Sequence, residues 1–253
     1  MQIEGYPYLY ETHLHTSQGS GCGHNTGAEM ARAAIDAGYA GIIVTDHNWG
    51  GHCAVDRRKP WEQWVDEFTE GYRDAWEYGQ EHGLDVFFGY EAGYDAVDFL
   101  INGITPQWLR QHPELKSASI KKQYKLVHDA GGMVIHAHPF RLCSYIPKVR
   151  LFPDYVDGVE GFNAGHLIGK REDEDIPEFD RKAVNYAREH NFPLTAGSDI
   201  HETSLRGGGV AFKRRLTSGS DYCKAILDGE DYVLTNGDAV FDKQGNLLYR
   251  LRD

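Results

Sequence analysis

Tyr8-Leu9-Tyr10-Glu11-Thr12-His13-Leu14-His15 leads from apolar residues into two histidines spaced at i and i+2. The run predicts a strand over residues 6–13. Side chains two apart on a strand share a face, roughly 6–7 Å apart along the chain. Two imidazoles converging at a strand end make half of a metal site. The same arrangement returns four times: Val44-Thr45-Asp46-His47, Phe88-Gly89-Tyr90-Glu91, Ile135-His136-Ala137-His138-Pro139 and Gly197-Ser198-Asp199-Ile200-His201. Each set follows an apolar stretch. One alone would mean little, but five in chain order point to a shared site.

Strand-like and helix-like segments alternate between these motifs. Residues 26–37 read as a helix, with Thr26 and Glu29 as a capping box and Gly38 as the stop. Residues 40–45 read as a short buried strand. Pro60 opens a predicted helix running to His82, whose stripe Trp61, Trp64, Phe68, Tyr72 and Trp76 reads as core packing rather than a ligand box. Further strands are expected over 84–90, 96–101, 133–137, 155–162, 193–198 and 232–234, with helices over 119–130, 178–190 and 220–227. Residues 239–251 read as a hairpin about Gln244-Gly245-Asn246. Repeated βα units of this kind suggest an α/β barrel. A doubly wound sheet is the rival, but no glycine-rich phosphate loop follows the first strand. The barrel explains why the His, Asp and Glu residues fall at the C-terminal ends of strands.

The chain has 253 residues, 41% of them apolar, and no linker-like stretch divides it, so one domain over 1–253 is expected. The formal net charge is −12, and no basic patch suits duplex nucleic acid. Bound cations could supply the positive charge that an anionic substrate needs. Cys22, Cys53, Cys143 and Cys223 form no CxxC, which fits a reducing cytoplasm. No run approaches transmembrane length, and no membrane partner is expected.

His13, His15, His47, Glu91, His138, Asp199 and His201 are the candidate metal ligands. An unpaired Glu91 at the end of an apolar strand would be costly, and bridging two cations removes that cost. Asp46 is either a ligand or a residue that orients an imidazole. His136 shares a face with His138 and is expected either to pack in the core or to line the substrate side. His24, in the loop Gly19-Ser20-Gly21-Cys22-Gly23-His24, is a further candidate ligand, with Cys22 and a proton-donor role for His24 as alternatives. The glycines are read as permitting unusual backbone angles there. The donor set suits Zn²⁺, Mn²⁺ or Fe²⁺, and seven or eight ligands exceed what one tetrahedral ion uses, so two or three ions are expected. Clustered cations suit hydrolysis, and phosphate esters of small molecules are the natural substrates. Arg141 and Arg206 each lie shortly past a motif and are candidates to hold a phosphate.

These residues together resemble the PHP (polymerase and histidinol phosphatase) family of metal-dependent phosphoesterases. The resemblance spans about residues 8–235 and rests on His13-Leu14-His15-Thr16, the run from Ala40 to His47, Gly89-Tyr90-Glu91, His138-Pro139 and Gly197-Ser198-Asp199-Ile200-His201. It implies a distorted (β/α)7 TIM-like barrel with a dinuclear or trinuclear centre. It also implies metal roles for His13, His15, His47, Glu91, His138, Asp199 and His201. Hydroxide attack on a phosphate ester follows, with Glu91 bridging and Glu91, Asp199 and His201 as the catalytic group. Two departures are visible. The loop after His15 is glycine-rich and longer, and Asp98 stands where many members carry a histidine. The nearest rivals are an amidohydrolase-type barrel and a degenerate, non-catalytic binding domain.

Overall fold

The structure, a computed structural model, describes residues 3–144, 146–167 and 176–251. Its strands are β1 (Tyr8–Leu14), β2 (Gly41–Val44), β3 (Asp85–Gly93), β4 (Asp98–Asn102), β5 (Met133–His136), β6 (Gly158–Asn163), β7 (Leu194–Gly197), β8 (Gly208–Phe212), β9 (Tyr232–Asn236), β10 (Ala239–Asp242) and β11 (Leu247–Arg250). The helices are α1 (Gly27–Ala37), α2 (Trp61–Phe68), α3 (Glu70–His82), α4 (Pro106–Arg110), α5 (Ile120–Asp129), α6 (Glu178–His190) and α7 (Gly219–Leu227). Among the described residues the strands form one mixed sheet in the order β11-β10-β9-β8-β1-β2-β3-β4-β5-β6-β7.

Local chemistry sets the elements. Thr26 caps α1 with the reciprocal Glu29 contact, and Gly38 ends it in the left-handed region at φ 83°. Ser119 and Ser218 cap α5 and α7 through their side chains. The expected single helix over 60–82 is instead two, broken at Thr69, whose hydroxyl turns back to donate to the Val65 carbonyl at 2.9 Å. The break shifts the apolar phase. Trp64 and Phe68 stay buried, while Trp76 is 43% exposed.

The sheet curls into a half-barrel that matches the distorted (β/α)7 expectation. It is not all parallel. β4 runs antiparallel to both β3 and β5, and β8 antiparallel to β1. Closure occurs at the C-terminal rim, where His15 N–H donates to Ile200 O at 2.9 Å and Ile200 N–H donates to His13 O at 3.2 Å. β8, which sequence patterning missed, follows Gly207 and packs its glycines where side chains would not fit. A Cβ on Gly208 would lie 2.5 Å from Gly197 O, and one on Gly209 2.3 Å from Tyr10 O. The core lines the barrel interior, with Phe162 stacked on Phe241 at 3.9 Å between ring centres. Each such fully buried aromatic contributes about 1.5–3 kcal/mol relative to exposure. The expected C-terminal hairpin is β10 paired with β11.

Candidate metal centre

The rim where the barrel closes gathers the polar motifs. His13 lies near the end of β1 and His15 just beyond it; His47 follows β2, Glu91 lies in β3, His138 follows β5, and Asp199 and His201 follow β7. The side chains of His13, His15 and Glu91 are wholly buried. His138 and Asp199 hold backbone φ values of 28° and 52°, a conformation that costs about 1–3 kcal/mol where no glycine is present. Such strain is retained where it aims side chains at a site.

Three overlapping sets place ligand atoms within 4.8 Å of one another: His15, His47 and His201; His13, His15, Glu91 and Asp199; and Glu91, Asp98 and His138. Glu91 faces two ways. Its Oε1 lies 3.0 Å from His138 Nε2 and 3.5 Å from His13 Nε2. Its Oε2 lies 2.7 Å from His47 Nδ1 and 3.5 Å from His15 Nε2. Asp199 Oδ1 approaches His15 Nε2 at 3.1 Å, His13 Nε2 at 3.4 Å and His201 Nε2 at 3.9 Å.

The proton inventory shows what these contacts lack. Ser20 Oγ–H donates to Asp46 Oδ1 at 2.6 Å, so Ser20 Oγ accepts from His15 Nδ1–H at 3.1 Å and from His47 N–H at 2.9 Å. His13 Nδ1–H donates to Glu160 Oε1 at 2.8 Å, and His201 Nδ1–H to the Asp199 carbonyl at 2.8 Å. The Nε2 atoms of all three rings therefore face the carboxylates. Burial lowers His15 to about 3, helped by the cationic His47 beside it, so its ring is neutral with one proton, already used at Nδ1. A lone pair then meets the Asp199 carboxylate with nothing between. Although His47 Nδ1 and Glu91 Oε2 lie 2.7 Å apart, neither they nor buried His13 Nε2 makes a well-aligned hydrogen bond among the described residues. Divalent cations fit this donor set and would satisfy every one of those atoms.

Without a cation, neighbouring charges carry the load. Burial opposes a charge on Glu91, but His47 and His13 outweigh it and hold the carboxyl well below the usual range. Burial likewise opposes a charged His47, yet Glu91 outweighs it and raises the ring to about 11. Burial and the charge of Glu91 push Asp98 up to about 6, outweighing the opposite effect of His138, His47 and Arg141.

Two buried carboxylates hold the rings of the cluster in place. Asp46 takes Thr16 N–H at 2.7 Å and Thr16 Oγ1–H at 2.6 Å, and through Ser20 it orients His15; this is the orienting alternative of its two expected roles. Glu160 was not singled out in the sequence, because Gly158-Val159-Glu160-Gly161 carries no histidine beside it. Its Oε1 takes His13 Nδ1–H, while Oε2 accepts His138 N–H at 2.9 Å and Asn163 Nδ2–H at 3.1 Å. The available signal was a lone carboxylate in an apolar strand, the same signal that flagged Glu91.

A cavity of about 420 Å³ opens over the cluster, lined among others by Cys22, His47, Tyr94, Asp98, Arg141, Asp199 and His201. Arg141 reaches Asp199 Oδ2 at 2.5 Å. Arg206, expected to hold phosphate, does not line this cavity; its guanidinium lies 4.0 Å from Glu202. His136 is fully buried against Phe99, its ring nitrogens without a hydrogen-bond partner among the described residues, and burial lowers it to about 3; it lies beneath an adjoining crevice rather than in the cavity. His24 is exposed and lies outside all three ligand sets; only its backbone N–H reaches inward, to His201 O at 2.8 Å. The turn closed by Gly23 N–H to Ser20 O at 3.0 Å brings Cys22 to the cavity instead. Burial pushes the Cys22 thiol up, but His201 and His47 outweigh it and lower it to about 6. Gly19 and Gly23 serve space rather than unusual angles: a Cβ would lie 2.3 Å from Asp46 Cγ and 2.4 Å from Thr16 O, respectively.

No family model matches the chain. Over 94 residues it is 35% identical to a probable histidinol-phosphatase of Deinococcus radiodurans; the match takes in 34% of this chain and spans about a third, 32%, of that curated relative. Its fold is similar to that of a two-domain protein from Bacteroides vulgatus containing a predicted PHP-like metal-dependent phosphoesterase, with TM-score 0.67, 14% identity, and coverage of 95% of this chain and 68% of that one. It is also similar to an amidohydrolase from Chromobacterium violaceum, with TM-score 0.50, 17% identity, and coverage of 76% and 87%. The chain thus has the fold shared by PHP-like phosphoesterases and amidohydrolase-type proteins, with clusters suited to divalent cations at its rim. Among the described residues no helix is long and apolar enough to cross a membrane.

Proposed function

We propose that the protein is a metal-dependent hydrolase of phosphate esters, working on small phosphomonoesters or phosphodiesters with two or three Zn²⁺, Mn²⁺ or Fe²⁺ ions. One observation carries this reading: in a buried cluster His13, His15 and His201 turn Nε2 toward the carboxylates of Glu91 and Asp199, with Nδ1 of each ring already hydrogen-bonded elsewhere. His13, His15, His47, His138, His201 and Asp199 would hold the ions, with Glu91 bridging through its two oppositely directed oxygens. Bound there, the ions would supply Lewis acidity and an activated water for attack at phosphorus. Arg141, in the cavity and against Asp199, is placed to neutralise a phosphoryl oxygen once the ions take over the charge of Asp199. Glu160 and Asp46 keep the His13 and His15 protons on Nδ1, so that Nε2 faces the cluster.

The similarity to an amidohydrolase supports amide hydrolysis as a second reading. A turnover screen of phosphomonoesters, phosphodiesters and amides, after reconstitution with each metal, separates the two. Phosphate ester hydrolysis abolished by chelation is the expected result. Turnover of amides alone would replace the proposal, and no turnover with full metal loading would favour a binding domain.

A further inference from the structure

Beside the cavity runs a narrow crevice bordered by Arg141, Lys148 and Arg150. The two spaces share Ala96, Asp98, Arg141 and Ile146 in their walls. Three cations thus come from ten residues of one loop, in a chain of net charge −12. Arg141 is paired with Asp199 at 2.5 Å; the other two are less fully engaged. Lys148 is exposed, and among the described residues no carboxylate oxygen lies within 4.0 Å of it. Arg150 donates to Asp95 O at 2.7 Å and to Asp95 Oδ2 at 2.9 Å and lies over the Phe152 ring, but the aspartate side chain is 96% exposed, so the ion pair is a screened surface contact. Like charges held together on one lip raise the local anion concentration.

We propose that this cationic lip binds a second anionic group of the substrate, so that the preferred substrates are phosphate esters carrying another phosphoryl or carboxylate group. The proposal rests on the phosphoesterase reading. The scissile phosphoryl lies at the cluster beside Arg141, and the second group lies across the crevice mouth against Lys148 and Arg150. It does not enter the crevice, whose free space of about 10 Å³ holds no more than a water.

The test uses the metal-loaded protein and α,ω-alkanediol monophosphates and bisphosphates of graded chain length. At the best length the bisphosphate should show at least about tenfold higher kcat/KM, the scale of one charge-assisted hydrogen bond. Lys148→Ala should remove most of that advantage and leave monophosphate turnover unchanged; Lys148→Arg should restore it. Calorimetric titration with the matching non-hydrolysable alkane monophosphonates and bisphosphonates gives a readout free of turnover. Bisphosphonate binding that depends on Lys148 without hydrolysis of any ester would uphold the anion subsite and defeat the phosphoesterase reading. Equal treatment of one-phosphate and two-phosphate ligands at every length, or equal loss for both in Lys148→Ala, overturns the subsite.

Discussion

Glu160→Gln tests whether the buried carboxylate behind His13 governs the cluster. Glu160 Oε2 accepts two N–H groups, His138 N–H and Asn163 Nδ2–H, whereas Oε1 accepts His13 Nδ1–H alone. Glutamine fits the same space but has one acceptor oxygen. Keeping that oxygen where two donors point leaves its NH₂ against His13 Nδ1. The ring then must carry its proton on Nε2, the atom that faces Glu91 and Asp199. A metal ligand is thereby blocked by a change outside the ligand set. Loss of an orienting partner of this kind lowers metal affinity about 10–100-fold. At about 1.4 kcal/mol per decade that is about 1.4–2.8 kcal/mol. Zn²⁺ affinity is measured by competition with a chromophoric chelator, beside thermal unfolding of the metal-free proteins. Unchanged affinity in a folded variant would refute the tautomer argument. Affinity lost only in proportion to lost metal-free stability would assign Glu160 a merely structural role.

Asp199→Asn and His138→Ala should each lower turnover at least about a hundredfold, the scale of removing electrostatic stabilisation from a site, while His82→Ala and His190→Ala remain near neutral; an equal loss from the control pair would show that histidine content misled the reading. His24→Ala should keep both metal content and turnover, because the side chain is exposed; lost metal on elemental analysis would restore it as a ligand. His136 has a folded pKa of about 3 against about 6.5 in the unfolded chain, so the unfolded chain binds the extra proton between those values and stability falls as pH falls through that window. The loss from pH 7.5 to pH 5 is about 2 kcal/mol, and His136→Leu should remove it in urea unfolding of the metal-free protein; parallel pH slopes in the two proteins would contradict this.

The strand-end motifs were legible because each His, Asp or Glu interrupts an apolar run where an unpaired polar group is costly. Periodicity placed β1, β2, α1 and α5 for the same reason: local propensity and burial agree there. The antiparallel β4 was not legible, since residues 96–101 alternate no differently from a parallel strand and only long-range pairing sets direction. β8 was hidden behind Gly207-Gly208-Gly209, which reads as a loop until Tyr10 and Gly197 are known to press against it. His24 and Cys22 could not be ordered from sequence. Which one faces inward depends on a turn fixed by backbone hydrogen bonds from Gly21 to His52 and from Gly23 to Ser20. Glu160 has no neighbouring histidine to mark it, although its strand position mirrors that of Glu91.

The central claim is that the buried cluster is a multinuclear metal centre. Elemental analysis of the freshly purified protein, repeated after reconstitution with Zn²⁺, Mn²⁺ or Fe²⁺, tests it most directly. The account predicts two or three ions per chain, with a chelator-sensitive rise in thermal stability because binding to the native state adds folding free energy. One ion or none, with no uptake on reconstitution, would contradict it.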